Sequence, residues 1–345
     1  MFKPFGRLEV WVIVLVSLVL AVVPASVQSE DACIRILKQD STLNNLVDPP
    51  GYKTTPLGTL GGVTHRGTGT QDMILIAGLG FGAGVFEEFM NELEGQYDMY
   101  AVTLAGFGGS AAPPCPSEQT SFAEQTWTNG ALKGIEKLIK DENIQNPIIV
   151  GHWLTGTTLA LRLAINHPNK VKAVILLAGA PRWYSTDTLY EMYYGTLDKR
   201  VNTVDKYFAP KWFKTVTRET WDDNNFLPQD YAVNPVRGLR LWREAASPKL
   251  HVWVRYLCEF NAQDVTAEFD NLTAPTMLLK PGLENLWTEG RNYMDETYGN
   301  QTWDESLAKY PKIVAKTIPN SRVCLWFDHP EKVKQEISSF LQSVE

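Results

Sequence analysis

A short stretch near the middle of the chain has the form of a turn that exposes one side chain for chemistry. The apolar run 148–150 ends in Gly151, a turn follows, and a run with helical spacing begins at about Thr155. A strand, a sharp turn and a helix in this order lift the tip residue above a sheet, as in the pattern G-x-S-x-G. Attack on a substrate needs Ser, Cys or Asp at that tip, and the residue here is Trp153. The pattern therefore predicts the turn without its nucleophile.

The elements that would position this turn follow from the hydrophobic pattern. Apolar runs predict buried strands, and amphipathic spacing predicts helices between them. Strands that alternate with helices indicate a mostly parallel sheet covered on both faces, which is an α/β fold. Residues 57–67 are rich in Gly and are typical of an entry hairpin. The predicted strands are 73–77, 99–104, 148–150, 171–178, 275–280 and about 313–318, and the predicted helices include 85–93, 122–139 and 331–341.

The alternation of strands and helices stops in the second half of the chain. Residues 182–270 contain no buried strand pattern, are helical in character and are rich in aromatic residues. We interpret them as a helical cap inserted into the α/β core. The predicted domain organisation is a signal peptide or anchor (1–29), an N-terminal extension (30–56), the core (57–181 and 271–345) and the cap (182–270).

The N-terminus has the pattern of a targeting segment. Lys3 and Arg7 precede the apolar run 10–23, and small residues follow up to Ser29. This order is typical of a secretory signal peptide cleaved after Ser29. The alternative is an uncleaved membrane anchor over 10–27, which is just long enough to span a bilayer. We therefore expect a secreted or extracytoplasmic protein that contacts a membrane only through an uncleaved N-terminal segment.

Composition excludes several classes of partner and cofactor. The formal net charge of the 345-residue chain is -7, so we expect no binding to nucleic acid. The Gly-rich segment 77–84 lacks the Lys of a phosphate-binding P-loop, and no Cys/His cluster suggests a metal site. The sequence thus predicts no cofactor. In an oxidising compartment Cys33 and Cys115 could form a disulfide, and the alternative is that all four cysteines, including Cys258 and Cys324, are thiols.

Several motifs, in this order, resemble those of the α/β-hydrolase fold family with a cap after the sixth strand. Residues 77–80 resemble the family's His-Gly oxyanion loop, and 104–110 resemble its Arg-Gly-x-Gly-x-Ser loop. Residues 150–156 resemble its nucleophile elbow, Val-Gly-His-Ser-x-Gly-Gly. The segments 319–322 and 328–331 bracket the region that usually holds the catalytic His. The resemblance covers about residues 57–343 and implies an esterase-like hydrolase.

The catalytic positions that the resemblance implies do not carry catalytic residues. The family needs a Ser nucleophile, a His base and a carboxylate that orients the His. The nucleophile position is Trp153, and the base position, seven residues before Pro330, is Val323. The acid position is Asn285, or Ala178 where the acid follows the sixth strand. We therefore predict a degenerate triad.

Other residues could in principle replace the triad. Thr155 or Thr157 could be activated by His152 if these groups were within hydrogen-bond reach. His329 with Asp328 could be a shifted base, or the pair could begin the last helix as a cap. We favour the helix-start interpretation, and we expect the acids of the cap, such as Asp264, to cap helices or face solvent.

Two parts of the resembling site do not depend on the triad. The resemblance places the oxyanion-hole donors at the backbone N–H groups of Leu79 and Leu154, which are present whatever the side chains are. It also predicts a pocket with Trp153 as its floor and aromatic residues of the cap as its walls. The alternative is that Trp153 fills the old pocket and closes it. The predicted pocket residues are Gly78, His152, Trp153, Trp183 and Trp287.

Two functions remain open at this point. The first is a pseudo-hydrolase that binds a small apolar molecule, a carbonyl ligand or a protein partner without turnover. The second is an active hydrolase, acting on esters through residues outside the usual triad. The first depends on the lost nucleophile and base, and the second depends on the fold.

Overall fold

The computed structural model describes residues 53–117, 119–182, 190–211, 227–283 and 313–344. Within them, seven strands form one sheet in the order β1-β3-β2-β4-β5-β6-β7. The first strand, β1, is antiparallel to β3, and the other neighbouring pairs are parallel. The strands are β1 (Gly62–Arg66), β2 (Gln71–Ile76), β3 (Tyr97–Thr103), β4 (Ile148–His152), β5 (Ala173–Leu177), β6 (Thr276–Pro281) and β7 (Ile313–Ile318).

The central strands form where the sequence has uninterrupted apolar runs. Every residue of β4 and β5 is buried, as expected for strands covered on both faces. Their register pairs Val150 with Ile175 and His152 with Leu177. The α/β-hydrolase fold class predicted from the sequence is confirmed, including the mostly parallel sheet and the helical insertion.

The prediction of an entry hairpin over 57–67 was wrong. The segment contains one strand, β1, which pairs with β3 and not with its neighbour in sequence, β2. In the sheet β3 lies between β1 and β2, so β1 pairs with a strand that is distant in sequence. The Gly-rich pattern identified the turn region correctly but carried no information about the pairing partner.

The helices that cover the sheet come from the segments between strands and from the C-terminus. Short 3₁₀ turns at Ala83–Phe86 and Phe122–Glu124 lead into the first two helices. The longer predicted helices all form, with ends within a few residues of those expected. These helices are α1 (Glu87–Leu93), α2 (Thr126–Asp141), α3 (Thr155–Asn166) and α10 (Pro330–Ser343), and the short helix α9 (Leu325–Asp328), which the sequence analysis did not predict, precedes α10.

The described part of the insertion is helical, and it follows β5, the strand that the family resemblance counts as the sixth. It includes a π-helical turn at Val204–Phe208 and a 3₁₀ helix at Val265–Asn271. Its α-helices are α4 (Tyr190–Tyr194), α5 (Leu197–Thr203), α6 (Pro228–Tyr231), α7 (Pro235–Ala246) and α8 (Leu250–Asn261). All residues of α8 are buried, so this helix forms the centre of the junction between cap and core.

Several sequence predictions lie outside the described residues. They are the signal peptide or anchor (1–29), most of the N-terminal extension, and Cys33. None of the described helices is both long and apolar enough to cross a membrane. Cys115 is disulfide-bonded, whereas Cys258 and Cys324 are buried free thiols.

Candidate functional site

The turn between β4 and α3 has the strained backbone of a nucleophile elbow. Trp153 lies at its tip with φ of 39°, and Leu154 follows with φ of 44° and ψ of −109°. Non-glycine residues at such angles cost on the order of 1–3 kcal/mol unless the surroundings enforce them. Here the N–H of Trp153 donates to the carbonyl of Leu177 at 3.0 Å, and the N–H of Gly156 donates back to the carbonyl of Trp153 at 3.2 Å. The elbow is therefore held although its nucleophile is absent.

Glycines flanking the elbow allow the close approach of backbone that this turn requires. A Cβ on Gly156 would lie 2.6 Å from the carbonyl oxygen of Ile76 and 3.0 Å from that of Ala77. A Cβ on Gly78 would lie 2.9 Å from the Cβ of Trp153. Larger residues at either position would push β2 and its loop away from the elbow. The glycines of the motif thus have a steric role that does not depend on catalysis.

The side chain of Trp153 is packed inside a cluster of aromatic rings. Its exposed fraction is 0%. The ring centroids of Phe81, Tyr231 and Trp253 lie at 6.0, 5.7 and 6.1 Å from that of Trp153. Tyr231 and Trp253 belong to the cap and meet it edge to face, a favourable geometry for aromatic pairs. Of the two alternatives for the pocket, this packing favours the filled one.

The predicted base position, Val323, also lies beside the elbow. Its side chain is fully buried, and its carbonyl oxygen lies 3.1 Å from Nε2 of His152. Because a carbonyl only accepts, Nε2 of His152 carries the proton and Nδ1 does not. Burial lowers the pKa of His152 to about 3. The imidazole is therefore neutral, and it is bonded to the residue that stands where the resemblance implies a catalytic His.

Sequence reasoning missed Cys324 and Trp326 as neighbours of the elbow. The Sγ of Cys324 lies 4.0 Å from Nε2 of His152, and the ring of Trp326 meets the imidazole edge-on with centroids 4.8 Å apart. Burial raises the pKa of the Cys324 thiol well above its usual value, which keeps the sulfur protonated. Catalytic cysteines need the opposite environment, electropositive and partly exposed. The signal in the sequence was that both residues follow the position expected for the catalytic His, Cys324 directly and Trp326 three residues after it.

Neither acid position supplies a carboxylate in the described structure. Ala178 follows β5 with φ of 50°, and its N–H donates to the carbonyl of Leu279 at 2.9 Å. Its methyl side chain has no acidic group. Asn285, the other candidate, lies outside the described residues, as do the predicted pocket residues Trp183 and Trp287.

The two predicted oxyanion-hole donors are buried and available. In the described part of the chain, neither the N–H of Leu79 nor that of Leu154 has a hydrogen-bond partner. Both residues are almost completely buried, and buried N–H groups without partners are rare. Leu79 follows Gly78 in the loop after β2, and Leu154 follows Trp153. Both N–H groups are therefore free to donate, and their role as an oxyanion hole stays a prediction.

The substitute nucleophiles do not form a hydrogen-bonded pair with His152. Among the described residues, the buried hydroxyl oxygens of Thr155 and Thr157 have no hydrogen-bond partner, and neither has Nδ1 of His152. Hydroxyl activation needs a base within hydrogen-bond reach. The geometry therefore provides no Thr-His dyad.

The helix-start interpretation of Asp328 and His329 is half right. His329 is the N-cap residue of α10 but makes no side-chain cap, and its Nε2 lies 3.0 Å from the carbonyl oxygen of Asn320. The carboxylate of Asp328 instead accepts from the N–H of Val233 at 2.8 Å and of Arg322 at 2.9 Å. It therefore joins the start of α7 to the exit of β7, a long-range contact that local sequence could not indicate.

Acidic residues of the cap have structural contacts. Asp264 caps the 3₁₀ helix Val265–Asn271 by accepting from the N–H of Thr266 at 3.0 Å, as the sequence predicted. Glu259 of α8 is fully buried and accepts from the N–H groups of Trp127 and Thr128 at 3.0 and 2.8 Å, and from the Thr128 hydroxyl at 2.7 Å. The carboxylate thus satisfies the free N–H groups at the start of α2, where negative charge is favourable.

The strained elbow, the mostly parallel sheet and the helical insertion together define a capped α/β-hydrolase fold. The family model described as "Alpha/beta hydrolase family" matches residues 73–336, which is more than half of the chain. The chain belongs to this family.

Individual relatives are more distant than the family match. The pimeloyl-[acyl-carrier protein] methyl ester esterase of Yersinia enterocolitica is 26% identical over 121 residues, covering 35% of this chain and 41% of the relative. The esterase of the same name from Edwardsiella ictaluri is 24% identical over 151 residues, covering 41% and 53%. The matched part of the chain spans about half the length of these relatives.

Solved structures share the fold at low identity. The esterase EaEST from Exiguobacterium antarcticum superimposes with a TM-score of 0.59 at 16% identity, covering 84% of this chain and all of that structure. A bromoperoxidase from Bacillus anthracis gives 0.58 at 15% identity, covering 81% and 94%. These similarities support the architecture, and the chemistry must be argued from the site.

Proposed function

We propose that this chain is a non-catalytic member of the α/β-hydrolase family, secreted, and active through binding. The observation that carries the proposal is Trp153, fully buried at the nucleophile position and packed against Tyr231 and Trp253 of the cap. Val323 supports it, because its side chain has no titratable group and its carbonyl binds the nearest imidazole. Hydrolysis by the family's mechanism needs both positions to carry reactive groups.

The packing around the elbow bears on what is bound. A ligand pocket must be concave and open to its ligand, and the side chain of Trp153 is fully buried. A protein partner that contacts the outer surface is therefore the better candidate than a small molecule seated on the elbow. A small apolar or carbonyl ligand would have to displace the indole to reach the N–H groups of Leu79 and Leu154.

A second candidate is ester hydrolysis by residues outside the usual triad. The names of the relatives favour it, since several are esterases. The available N–H pair at Leu79 and Leu154 is also what an acyl-transfer site needs. Cys324, whose Sγ lies 4.0 Å from Nε2 of His152, is one group that could act as a nucleophile.

An esterase assay separates the two candidates. The purified protein is incubated with activated short-chain aryl esters and with a serine-reactive fluorophosphonate, beside Trp153→Ala, Trp153→Ser and Cys324→Ala. We expect no turnover above Trp153→Ala and no covalent labelling. Trp153→Ser is also expected to stay inactive, because Val323 offers no base.

The same assay shows how the proposal would fail. Turnover that Cys324→Ala abolishes would establish the second candidate and identify its nucleophile. Substantial activity of Trp153→Ser alone would show that another group acts as the base and that Val323 is not the relevant position.

A further inference from the structure

The outer face of α7 combines apolar and basic side chains that make no contribution to the elbow. Val236 is 77% exposed, and Val233 and Leu239, three residues away on either side, are 40% and 37% exposed. Val236, Leu239, Arg240 and Arg243 follow the three- and four-residue spacing of one helix face. Large apolar side chains exposed singly are ordinary, but a cluster of them indicates an interaction site.

The inner face of the same helix packs on the loop after β2 and on α8. Glu244 accepts from the N–H of Gly82 at 3.2 Å, and the carbonyl of Ala245 accepts from the indole N–H of Trp253 at 2.7 Å. The buried residues of α7 are Gly238, Leu241 and Ala245. Its orientation is therefore set by contacts with the core, and the apolar outer face is a fixed feature of the surface.

The charge of this face is opposite to that of the chain. The exposed or half-exposed ionisable side chains on the outside of α7 are all arginines, whereas the whole chain has a net charge of -7. Among the described residues, two carboxylates oppose them: Glu88 of α1 lies 3.4 Å from Arg237 and 3.7 Å from Arg240, and Glu244 of α7 interacts electrostatically with Arg240. The guanidinium groups of both arginines also lie over the ring of Phe327, at 5.7 and 5.8 Å from its centroid. The face keeps a positive excess after these pairs are counted.

A depression of about 450 Å³ lies next to this face and extends its polar part. Asp328 lines this depression, and its carboxylate accepts hydrogen bonds from the N–H groups of Val233 and Arg322. Burial raises the pKa of Asp328. The polar groups that this depression presents to an anionic partner are therefore mainly hydrogen-bond donors. The lining residues are Val233, Asn234, Arg237, Asn320, Phe327, Asp328 and His329.

We infer that this surface, defined by Val236, Leu239, Arg240 and Arg243 of α7 and by Val233 just before the helix, docks the protein on an anionic membrane surface. Apolar side chains on a convex helix, flanked by arginines, are the features of helices that lie in the lipid interface. A second copy of the chain is a poorer occupant, because a two-fold contact would place the arginine-rich patch against itself. The inference is independent of the proposed function and departs from the sequence prediction that the protein contacts a membrane only through an uncleaved N-terminal segment.

The test places a reporter directly on the face. Val236→Cys is labelled with an environment-sensitive fluorophore in the full chain, and the parent treated with the same reagent is the control for the native cysteines. The labelled protein is titrated with vesicles of phosphatidylcholine, with and without phosphatidylserine. We expect a blue shift only with phosphatidylserine present. Each basic residue near an anionic membrane surface strengthens vesicle binding about fivefold. The double variant Arg240→Gln/Arg243→Gln should therefore bind vesicles about 25-fold more weakly.

Matched controls separate docking by α7 from tethering by the N-terminus. The emission of a label at Lys140→Cys should not shift. Lys140 lies near the end of α2, which leads to the start of β4, whereas the elbow follows the end of β4. Lys133→Gln with Lys170→Gln removes the same charge from exposed sites elsewhere and should leave the titration unchanged. Val233→Ser with Leu239→Ser should weaken it several-fold.

Three results would overturn the inference. The first is the absence of a shift at position 236 while the protein still sediments with vesicles. The second is equal binding by the parent and the Arg240→Gln/Arg243→Gln variant. The third is a shift with soluble polyglutamate and none with vesicles, which would assign the face to an acidic protein partner instead.

Discussion

Helix α8 contacts the core through Trp253 near its start and Glu259 near its end, and the two contacts use different chemistry. At the elbow, Trp253 packs on Trp153 among buried rings, and polar atoms such as Nδ1 of His152 have no hydrogen-bond partner in the described structure. At the other end, the carboxylate of Glu259 accepts several hydrogen bonds from the start of α2. A buried carboxylate with several hydrogen bonds thus anchors the cap, whereas the elbow is filled by packed aromatic side chains.

This difference separates the backbone of the elbow, which keeps the geometry of the fold, from its side chains, which pack against the cap. The elbow keeps its strained backbone and its free N–H groups because glycines and strand hydrogen bonds enforce them. Its side chains now contribute packing. The comparison predicts that substitutions at both ends of α8 cost stability, through a cavity at one end and through lost hydrogen bonds at the other.

The largest expected effect is at the elbow. Trp153→Ala removes a fully buried indole and should lower the free energy of unfolding by about 3–5 kcal/mol, measured by urea titration. Trp153→Phe, which keeps a ring in the cluster, should lose less. Added indole should partly restore the stability of Trp153→Ala and not that of Trp153→Phe, since only the former has a cavity of that size. A loss below about 1 kcal/mol would show that the cluster does not pack as a unit.

The next effect is at the cap anchor. Glu259→Gln keeps the shape but removes the charge that accepts from Trp127 and Thr128. Hydrogen bonds to charged groups contribute about 1.5–3 kcal/mol, and we expect a loss in this range. Glu268→Ala, an exposed carboxylate of the cap, is the control and should change stability by less than about 0.5 kcal/mol. Equal effects of the two substitutions would contradict an anchoring role for Glu259.

The smallest effect is a dependence on pH that both regions share. Burial lowers the pKa of His152 at the elbow and of His251 on α8 to about 3, against 6.5 for the free side chain. The unfolded chain therefore binds protons at these positions below about pH 6.5 while the folded chain does not. Their contribution to stability is complete above pH 6.5 and is lost as the pH falls towards 3.

The measurement compares unfolding free energies over the pH unit from about 5.5 to about 4.5. Each histidine should account for about 1.4 kcal/mol of the decrease. His152→Asn should have a lower free energy of unfolding at neutral pH. Between about pH 5.5 and about pH 4.5 its free energy of unfolding should fall by about 1.4 kcal/mol less than that of the parent. An unchanged slope would mean that the imidazole of His152 is protonated in the folded protein.

Much of the fold followed from local pattern. Buried strands such as β4 and β5 are continuous apolar runs, and the elbow is a Gly-flanked break between a strand and a helix. The position of Trp153 at the tip needed only the spacing of Gly151 and Gly156. The roles of Asp328 and Cys324 could not be predicted, because their partners are far away in sequence.

By itself, the sequence determined the class of fold, the insertion point of the cap and the absence of Ser and His from the resembling positions, because periodicity and residue type are local properties. Tertiary structure decided that β1 pairs with β3, that Trp153 is enclosed by Tyr231 and Trp253, and that Val323 binds the neighbouring imidazole. These contacts join residues far apart in the chain, and their geometry exists only once the sheet and the cap have packed together.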